Sequence, residues 1–451
     1  EFVIGGFTRG KGNRSTTFGA LALGFWEEGK LRYAGDVGSG FDDATLTRLT
    51  AALAKSKVSR SPFDPVPKVP QVSWVRPERV IEVQFSEWTD DRQLRAPVFL
   101  RERDDRDAAS VGAPLSPTTR VPAAEAEAAY VAQQLTRLAK SGTLEIGGAP
   151  IKLTHLDKVL WPATAWAAAV TKRDLLAYLI TVAPVMLEHL RDRPLTVIRM
   201  PDGIGKQSFF QKHWDTQALP EFVEMIDVGA GPLDRYLACN NLATLVWLGQ
   251  MGALEFHPWH ARASSDGVPA GDGSLDIEAR LRRPDYIVFD LDPDKRMIAP
   301  DAPGGDPAVA LARTVALSLR GLLEPMGLTP FLKTTGHSGL HVFVPIERTI
   351  DADAARELCG LIGMHLTRAH PKLITMERSP ERRPPGRLYF DHNMNGHGRT
   401  LAAAYSPRST PGAPVSMPLP WDRLDAVVPR DYRIGAISSA LHTLGTPWRG
   451  F

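Results

Sequence analysis

Two cysteines in 451 residues, Cys239 and Cys359, are too few and too far apart for a disulfide framework or a cysteine-based zinc site, so both are expected to be buried thiols. No apolar run approaches the roughly 18 to 20 residues of a membrane helix, and the N-terminus lacks the basic, apolar and small-residue sequence of a secretory signal. A soluble, cytoplasmic protein with no membrane partner is the expectation. An excess of one charge is also missing: 53 Lys and Arg stand against 51 Asp and Glu, so net charge does not decide on nucleic acid and the local runs must. No G-x-x-x-x-G-K-[ST] string occurs, which excludes a Walker A loop. The chain opens at Glu1-Phe2-Val3-Ile4 without an initiator methionine, directly in a strand-like segment, and reads as part of a longer polypeptide.

What is present is ordinary globular composition, 43% apolar and 23% charged, over a length that predicts two to three domains. Short β-like stretches at Phe2 to Phe7, Thr17 to Trp26, Leu31 to Val37 and Val80 to Trp88, separated by glycine-rich or polar turns, suggest a small barrel. Leu46, Leu49, Ala52 and Leu53 keep a helical spacing that suits one helix inserted between strands, and an OB-fold fits the mixture. From Asp107 to about Ala129 the composition turns to Ala, Pro, Ser and Thr, a linker followed by a short helix. Helices and strands then alternate, with an amphipathic helix near Lys172 to His189. Strands are expected at Pro194 to Met200, Ser208 to Lys212, Gly252 to His257, Asp285 to Leu291 and Leu340 to Pro345, and helices at Ala308 to Leu323 and Ala352 to His370. The fold class is therefore multi-domain: an all-β barrel over residues 1–108, a linker over 109–142, and an α/β (α+β) domain over 143–451.

The strongest chemical signal is Asp290-Leu291-Asp292 at the end of an apolar strand. Side chains at i and i+2 share a face, and two carboxylates that close repel unless a cation sits between them; hard oxygen ligands suit Mg²⁺ or Mn²⁺. A solvated strand end is the alternative, and taken alone it is the commoner one. Lys333-Thr-Thr-Gly-His337-Ser-Gly-Leu-His341 is a small-residue turn feeding a strand, which can cradle phosphate with its N–H groups or be a plain hairpin. Asp391 ends another short strand and is followed by Arg399 and Arg408, the cations a triphosphate would need.

These residues resemble a known family, the polymerase domain of the bacterial non-homologous end-joining ligase D, within the archaeo-eukaryotic primase-polymerases. The similarity runs from about Leu153 to the C-terminus. It rests on Leu156-Asp-Lys158-Val-Leu-Trp-Pro, Arg199-Met-Pro-Asp-Gly, Phe209-Phe210-Gln-Lys212-His, Glu255-Phe-His257-Pro-Trp, Asp290-Leu-Asp292-Pro, the Thr334 to His341 turn, and Arg387 to Asp391 with Tyr405-Ser-Pro-Arg408. The resemblance implies that Asp290, Asp292 and Asp391 bind two metals, Mn²⁺ or Mg²⁺, and are catalytic. It implies that His257, Thr335, Ser338, His341, Arg399 and Arg408 approach an NTP or dNTP substrate. Lys158, Lys172, Arg199 and Lys212 would grip DNA, the first two at the 5′-phosphate across a gap, and Phe209 and Phe210 would stack on template bases. The turn departs from the family at Thr335, where serine is usual, and at Ser338, where lysine or arginine is usual.

The N-terminal region resembles the OB-fold half of the same protein's ATP-dependent ligase domain, through Glu1-Phe-Val-Ile-Gly-Gly-Phe-Thr, Phe18-Gly-Ala-Leu-Ala-Leu-Gly and Tyr33-Ala-Gly-Asp36-Val-Gly-Ser-Gly-Phe. The segment Arg103 to Arg106 corresponds to one that supplies cations during adenylation. No K-x-D-G string occurs, so the adenylation half is expected upstream of residue 1 and ligation is not expected from these residues alone. The resemblance further implies DNA ends and gapped duplexes with a 5′-phosphate as partners, recruitment by Ku, and a cytoplasmic, nucleoid-associated location. A non-catalytic DNA-end scaffold and a nuclease using the same carboxylates are the competing readings, and primer extension separates all three.

Overall fold

The computed structural model describes the chain apart from residues 1, 11–13, 28, 68, 85–86, 89–92, 96, 104–107, 109–110, 112–122, 230, 232–233, 269–274, 300–305, 446 and 449–450. Residues 109–110 and 112–122 of the expected linker and 104–106 of the cationic segment thus lie outside the described residues. Two compact units emerge, Glu1–Ala123 and Ala124–Phe451. No helix among the described residues is long and apolar enough to cross a membrane. Cys239 and Cys359 are free and buried.

In the first unit, six strands form one antiparallel sheet. Its order is Lys30–Val37, Phe18–Glu27, Phe2–Arg9, Val80–Gln84, Val98–Glu102, with Val72–Trp74 also paired to Phe2–Arg9. Alternation along Phe2–Arg9 sends Phe2 and Ile4 into one apolar cluster and Val3 into another. Gly5 and Gly24 are required where they stand, because a β-carbon on either would overlap the Phe63 ring. The helix Asp43–Lys55 starts where the Asp42 carboxylate accepts the Thr45 N–H at 2.7 Å, and it buries Leu46, Leu49 and Leu53 together. Phe99 N–H donates to Ser39 O at 2.9 Å, joining the two ends of the sheet. The result is an OB-fold-like barrel.

The second unit is built on two sheets. In the first, Leu195–Arg199 pairs with Ala253–Pro258 on one side, and on the other with Phe209–Gln211 and Arg235–Ala238; Glu224–Asp227 adds to Arg235–Ala238. The second sheet has six strands in the order Ile374–Thr375, Leu388–Asp391, Tyr286–Pro293, Leu340–Pro345, Phe331–Thr334, Pro418–Leu419. Helices Pro307–Leu323 and Ala352–Ala369 pack on this sheet. The second lies on the aliphatic face, so close that a β-carbon on Gly363 would fall 2.8 Å from the Phe390 ring.

The helix Lys172–Leu190 is opened by a capping box, in which Thr171 and Asp174 exchange hydrogen bonds, and it buries Leu175, Leu176, Leu179, Val182 and Met186. The helix Ala123–Arg137 packs into this unit's core through Ala128, Val131 and Leu135, and the hairpin Gly142–Ile146 with Ala149–Leu153 joins the same cluster. Two strands that sequence periodicity does not announce, Glu224–Asp227 and Arg235–Ala238, are held chiefly by pairing with each other.

Candidate active site

The site grows from the alternation of the strand Tyr286–Pro293. Ile287, Phe289 and Leu291 are fully buried on one face, and Asp290 and Asp292 project from the other. The sheet register then decides what joins them. Asp391 lies directly opposite Asp290 on one neighbouring strand, His341 directly opposite it on the other, and Lys333 opposite His341. Opposed residues in antiparallel strands point to the same face with β-carbons about 4.5–5.5 Å apart. One row across four strands therefore reads Asp391, Asp290, His341, Lys333, and the adjacent row places Asp292 opposite Tyr389.

Burial sets the electrostatics of this row. It pushes the Asp290 carboxyl up to about 6, against the pull of the Lys333, Arg408 and Arg383 charges. Burial and the neighbouring Asp290 push Asp292 upward too. His341 Nε2 is 3.3 Å from Asp290 Oδ1, its Nδ1 is buried without a partner, and burial holds the imidazole well below its usual value. Lys333 is fully buried. Its Nζ donates to Ala402 O at 2.9 Å and to Ser416 Oγ, and burial holds the ammonium well below its usual value.

The donor set suits a hard divalent cation. Among the described residues Asp292 accepts no hydrogen bond and Asp290 meets only His341, at Oδ1, so the remaining carboxylate oxygens are open to a cation, and a nearby dication reverses the cost of ionising them. Asp391 has one oxygen engaged, since Oδ1 accepts the Asn393 N–H at 2.9 Å. No group of three or more His, Cys, Asp or Glu side chains among the described residues is already gathered as a metal-holding cluster, so the three aspartates share a face rather than a closed coordination shell.

A second wall comes from the strand Ala253–Pro258, where Glu255 and His257 stand at i and i+2. Glu255 Oε2 meets His257 Nε2 at 2.9 Å and Arg408 Nε at 2.9 Å, while Oε1 accepts the Ser409 N–H at 2.8 Å and its hydroxyl at 2.5 Å. Burial would raise the Glu255 carboxyl, but His257, Arg408 and Ser409 together hold it down at about 2. Burial also lowers the His257 imidazole against the pull of Glu255. Arg408 in turn donates to Thr335 O at 2.7 Å, which fixes the turn beside the aspartates. That turn is tight: Thr335 N–H donates to Gly339 O, Thr335 Oγ1 accepts the His337 N–H, and Gly336 sits at φ +76. A β-carbon on Gly336 would approach the Arg408 chain to 2.5 Å. The outer side of the turn, at Gly336, His337 and Ser338, borders a cavity of about 810 Å³ also lined by Trp166 and Val427.

The structure thus brings Asp290, Asp292, Asp391, His257, His341, Thr335, Ser338 and Arg408 together. Arg399 is exposed on the following loop, which a bridge between Thr400 and Trp259 ties to the end of the His257 strand. The expected DNA contacts form a separate group around one corner. Lys172 Nζ donates to Gln250 O at 3.1 Å, Arg199 Nε to Met251 O at 3.0 Å, and Lys158 Nζ to Pro201 O at 3.2 Å and Asp202 at 2.7 Å. Lys172 is 6% exposed, and burial with the nearby Lys158 lowers its ammonium. Phe209 and Phe210 pair with Arg199 and Ile198 and are 41% and 71% exposed; Lys212 next to them is exposed. Sequence reasoning passed over Glu255, Ser409 and Lys333 as site residues, although Glu255-x-His257 at a strand end carried the same i, i+2 signal as the aspartates.

Acidic side chains in register on an antiparallel sheet, beside a tight glycine turn, fit the architecture of a nucleotidyltransferase domain. Residues 171–448 match the family model described as LigD, primase-polymerase domain, and the chain belongs to that family. Residues 14–106 match the ATP dependent DNA ligase C terminal region. The multifunctional non-homologous end joining protein LigD of Pseudomonas aeruginosa is 34% identical over 436 residues, covering 95% of this chain and 46% of that protein. The bifunctional non-homologous end joining protein LigD of Bacillus subtilis is 30% identical over 303 residues, covering 67% of this chain and 44% of that protein. The chain thus spans less than half the length of these curated relatives. The solved polymerase domain of Mycobacterium tuberculosis Ligase D in complex with DNA is similar at 28% identity with a TM-score of 0.56, covering 66% of this chain and 96% of that one.

Proposed function

We propose that the second unit adds nucleotides from NTP or dNTP to a primer 3′-OH under template direction, filling gaps and extending DNA ends in double-strand break repair by non-homologous end joining. The observation that carries this reading is the register row that sets Asp391 against Asp290 with Asp292 one step along. Asp290, Asp292 and Asp391 are the residues that would hold Mn²⁺ or Mg²⁺, with Asp391 serving the metal on the primer side. Such a pair, when bound, supplies activation of the 3′-OH and stabilisation of the pyrophosphate leaving group. The chain's own part is positioning: the Thr335–Gly339 turn presents N–H donors to phosphate oxygens, Arg408 holds that turn, and Glu255 fixes both Arg408 and His257.

The corner of Lys158 and Lys172 suits the 5′-phosphate on the far side of a gap, and the exposed Phe209 and Phe210 suit stacking on template bases. The relatives are named for non-homologous end joining, and the similar solved domain was captured on DNA. The match of residues 14–106 to the ATP dependent DNA ligase C terminal region supports reading the first unit as the OB half of a ligase domain, and the family resemblance suggests Ku as the recruiting partner. Primer extension on a gapped, 5′-phosphorylated duplex with Mn²⁺ tests the reading. Asp290→Ala or Asp292→Ala abolishes extension and leaves DNA binding in place; unchanged extension by either variant refutes the assignment. Shortened DNA would identify a nuclease, and no metal-dependent product from the wild type a scaffold.

A further inference from the structure

The turn beside the aspartates has donors but little charge of its own. The N–H groups of Gly336, Ser338 and Gly339 have no described acceptor, so three backbone dipoles are free for an anion. Ser338 is neutral. Burial, with Arg408 and Lys295 adding to it, holds the His337 imidazole below its usual value, so it is neutral at pH 7. A nucleoside triphosphate brings its outer phosphates to this turn, and those phosphates need a cation.

The neighbouring cations are mostly committed. Arg408 is ion-paired to Glu255 at 2.9 Å and hydrogen-bonded to Thr335 O. Lys333 is buried with its Nζ on Ala402 O and Ser416. Arg296 pairs with Asp294 at 2.8 Å, and Arg383 lies over the Tyr389 ring while donating to Glu377 O and Arg378 O. Lys295 differs. It is exposed on the single turn Lys295–Met297, three residues beyond Asp292, and its ammonium makes no described hydrogen bond or ion pair. Its charge opposes the upward push on the Asp292 carboxyl and adds to the lowering of His337 by burial. Geometry sets it between the carboxylate end of the site and the turn: a β-carbon on Gly339 would fall 3.5 Å from Pro293, and Ile298, which closes the single turn, lines the same cavity as Gly336, His337 and Ser338.

We propose that Lys295 is the cation that binds the outer phosphates of the incoming nucleoside triphosphate, completing a site whose other donors are the backbone N–H groups of the Thr335–Gly339 turn. This rests on the nucleotidyl-transfer reading above. The Asp294 carboxylate supports the role by capping the turn: it accepts the Arg296 and Gly386 N–H groups at 3.0 and 2.8 Å, so Lys295 is presented from a fixed backbone.

The test is calorimetric titration of the full chain with ATP and with AMP, alongside KM and kcat for primer extension. Lys295→Ala weakens ATP binding about ten-fold, the loss of one hydrogen bond between charged groups, while AMP binding stays within about two-fold. In extension the loss falls on KM rather than kcat, and Lys295→Arg restores both readouts. ATP affinity in Lys295→Ala within two-fold of the wild type overturns the inference, as does an equal loss for AMP, which would show a general disturbance of the site. Extension by the wild type reads the polymerase assignment separately, so an inactive wild type that still loses ATP affinity in Lys295→Ala refutes that assignment and not the phosphate contact.

Discussion

Asp290→Asn probes the acidic row at its centre, because it keeps the shape of the side chain and removes only its charge. The folded carboxyl is raised to about 6 from 3.8, so the folded chain holds a proton that the unfolded chain has already lost between those values. Stability therefore falls as pH rises from about 4 to about 6, and a gap of roughly two pKa units corresponds to about 3 kcal/mol once both states have ionised. Asparagine carries no such penalty. In EDTA at pH 7.5 the variant is expected to be more stable than the wild type by up to about 3 kcal/mol, which in a unit of this size is on the order of 5 °C in melting temperature.

At roughly pH 4.5 the same difference shrinks to about 1 kcal/mol, because the wild-type carboxyl is then largely protonated in the folded state. Differential scanning calorimetry of both proteins across that range reads the effect. Added Mn²⁺ raises the melting temperature of the wild type at pH 7.5, since an ion that binds only the folded state stabilises it by mass action, and raises that of Asp290→Asn much less. A wild-type-to-variant difference that stays flat with pH, or a variant that melts below the wild type at pH 7.5 in EDTA, refutes the account of Asp290 as a carboxyl raised by burial.

Two further outcomes follow from the site's neighbours. Glu255→Ala strands the Arg408 guanidinium and frees Ser409 and His257, at a cost of about 3 kcal/mol, and lowers the melting temperature by several degrees; Glu255→Gln, which retains an acceptor for Ser409, loses less. Because the Glu255 carboxyl is held at about 2 against 4.5, its contribution is present above the latter value and fades as pH falls toward the former, so the wild-type advantage over Glu255→Gln measured by thermal melts should vanish in acid. Phe210→Ala removes a ring that is 71% exposed, so it leaves the melting temperature within about a degree while weakening single-stranded template binding roughly ten-fold in fluorescence anisotropy. Template affinity unchanged in that variant would remove Phe210 from the DNA interface.

Local pattern carried much of this molecule. The alternation of Asp285 to Leu291, the leucine spacing after Gly40 and the amphipathic run after Lys172 each define an element within a few residues, and the observed bounds Tyr286–Pro293, Asp43–Lys55 and Lys172–Leu190 follow them closely. Each is written in neighbouring side chains, where periods of 2 and 3.6 are visible in the sequence. Asp290 and Asp292 could be placed on one face for the same reason. The strands Glu224–Asp227 and Arg235–Ala238 could not, because they are short, mixed in character and held chiefly by pairing with each other.

Tertiary structure alone decided which residues stand opposite Asp290. Asp391 and His341 are 101 and 51 residues away, and only the pairing register makes them cross-strand neighbours. Arg408 was legible as a cation, but that its charge is engaged by Glu255 depends on two segments 153 residues apart meeting. Lys172 and Lys158 look alike as basic residues in sequence, yet the fold buries one and leaves the other at an exposed acid, Asp202. Sequence by itself determined the chemistry available and the face on which each strand carries it. The fold determined which charges remain free, because burial and pairing depend on what the rest of the chain brings alongside.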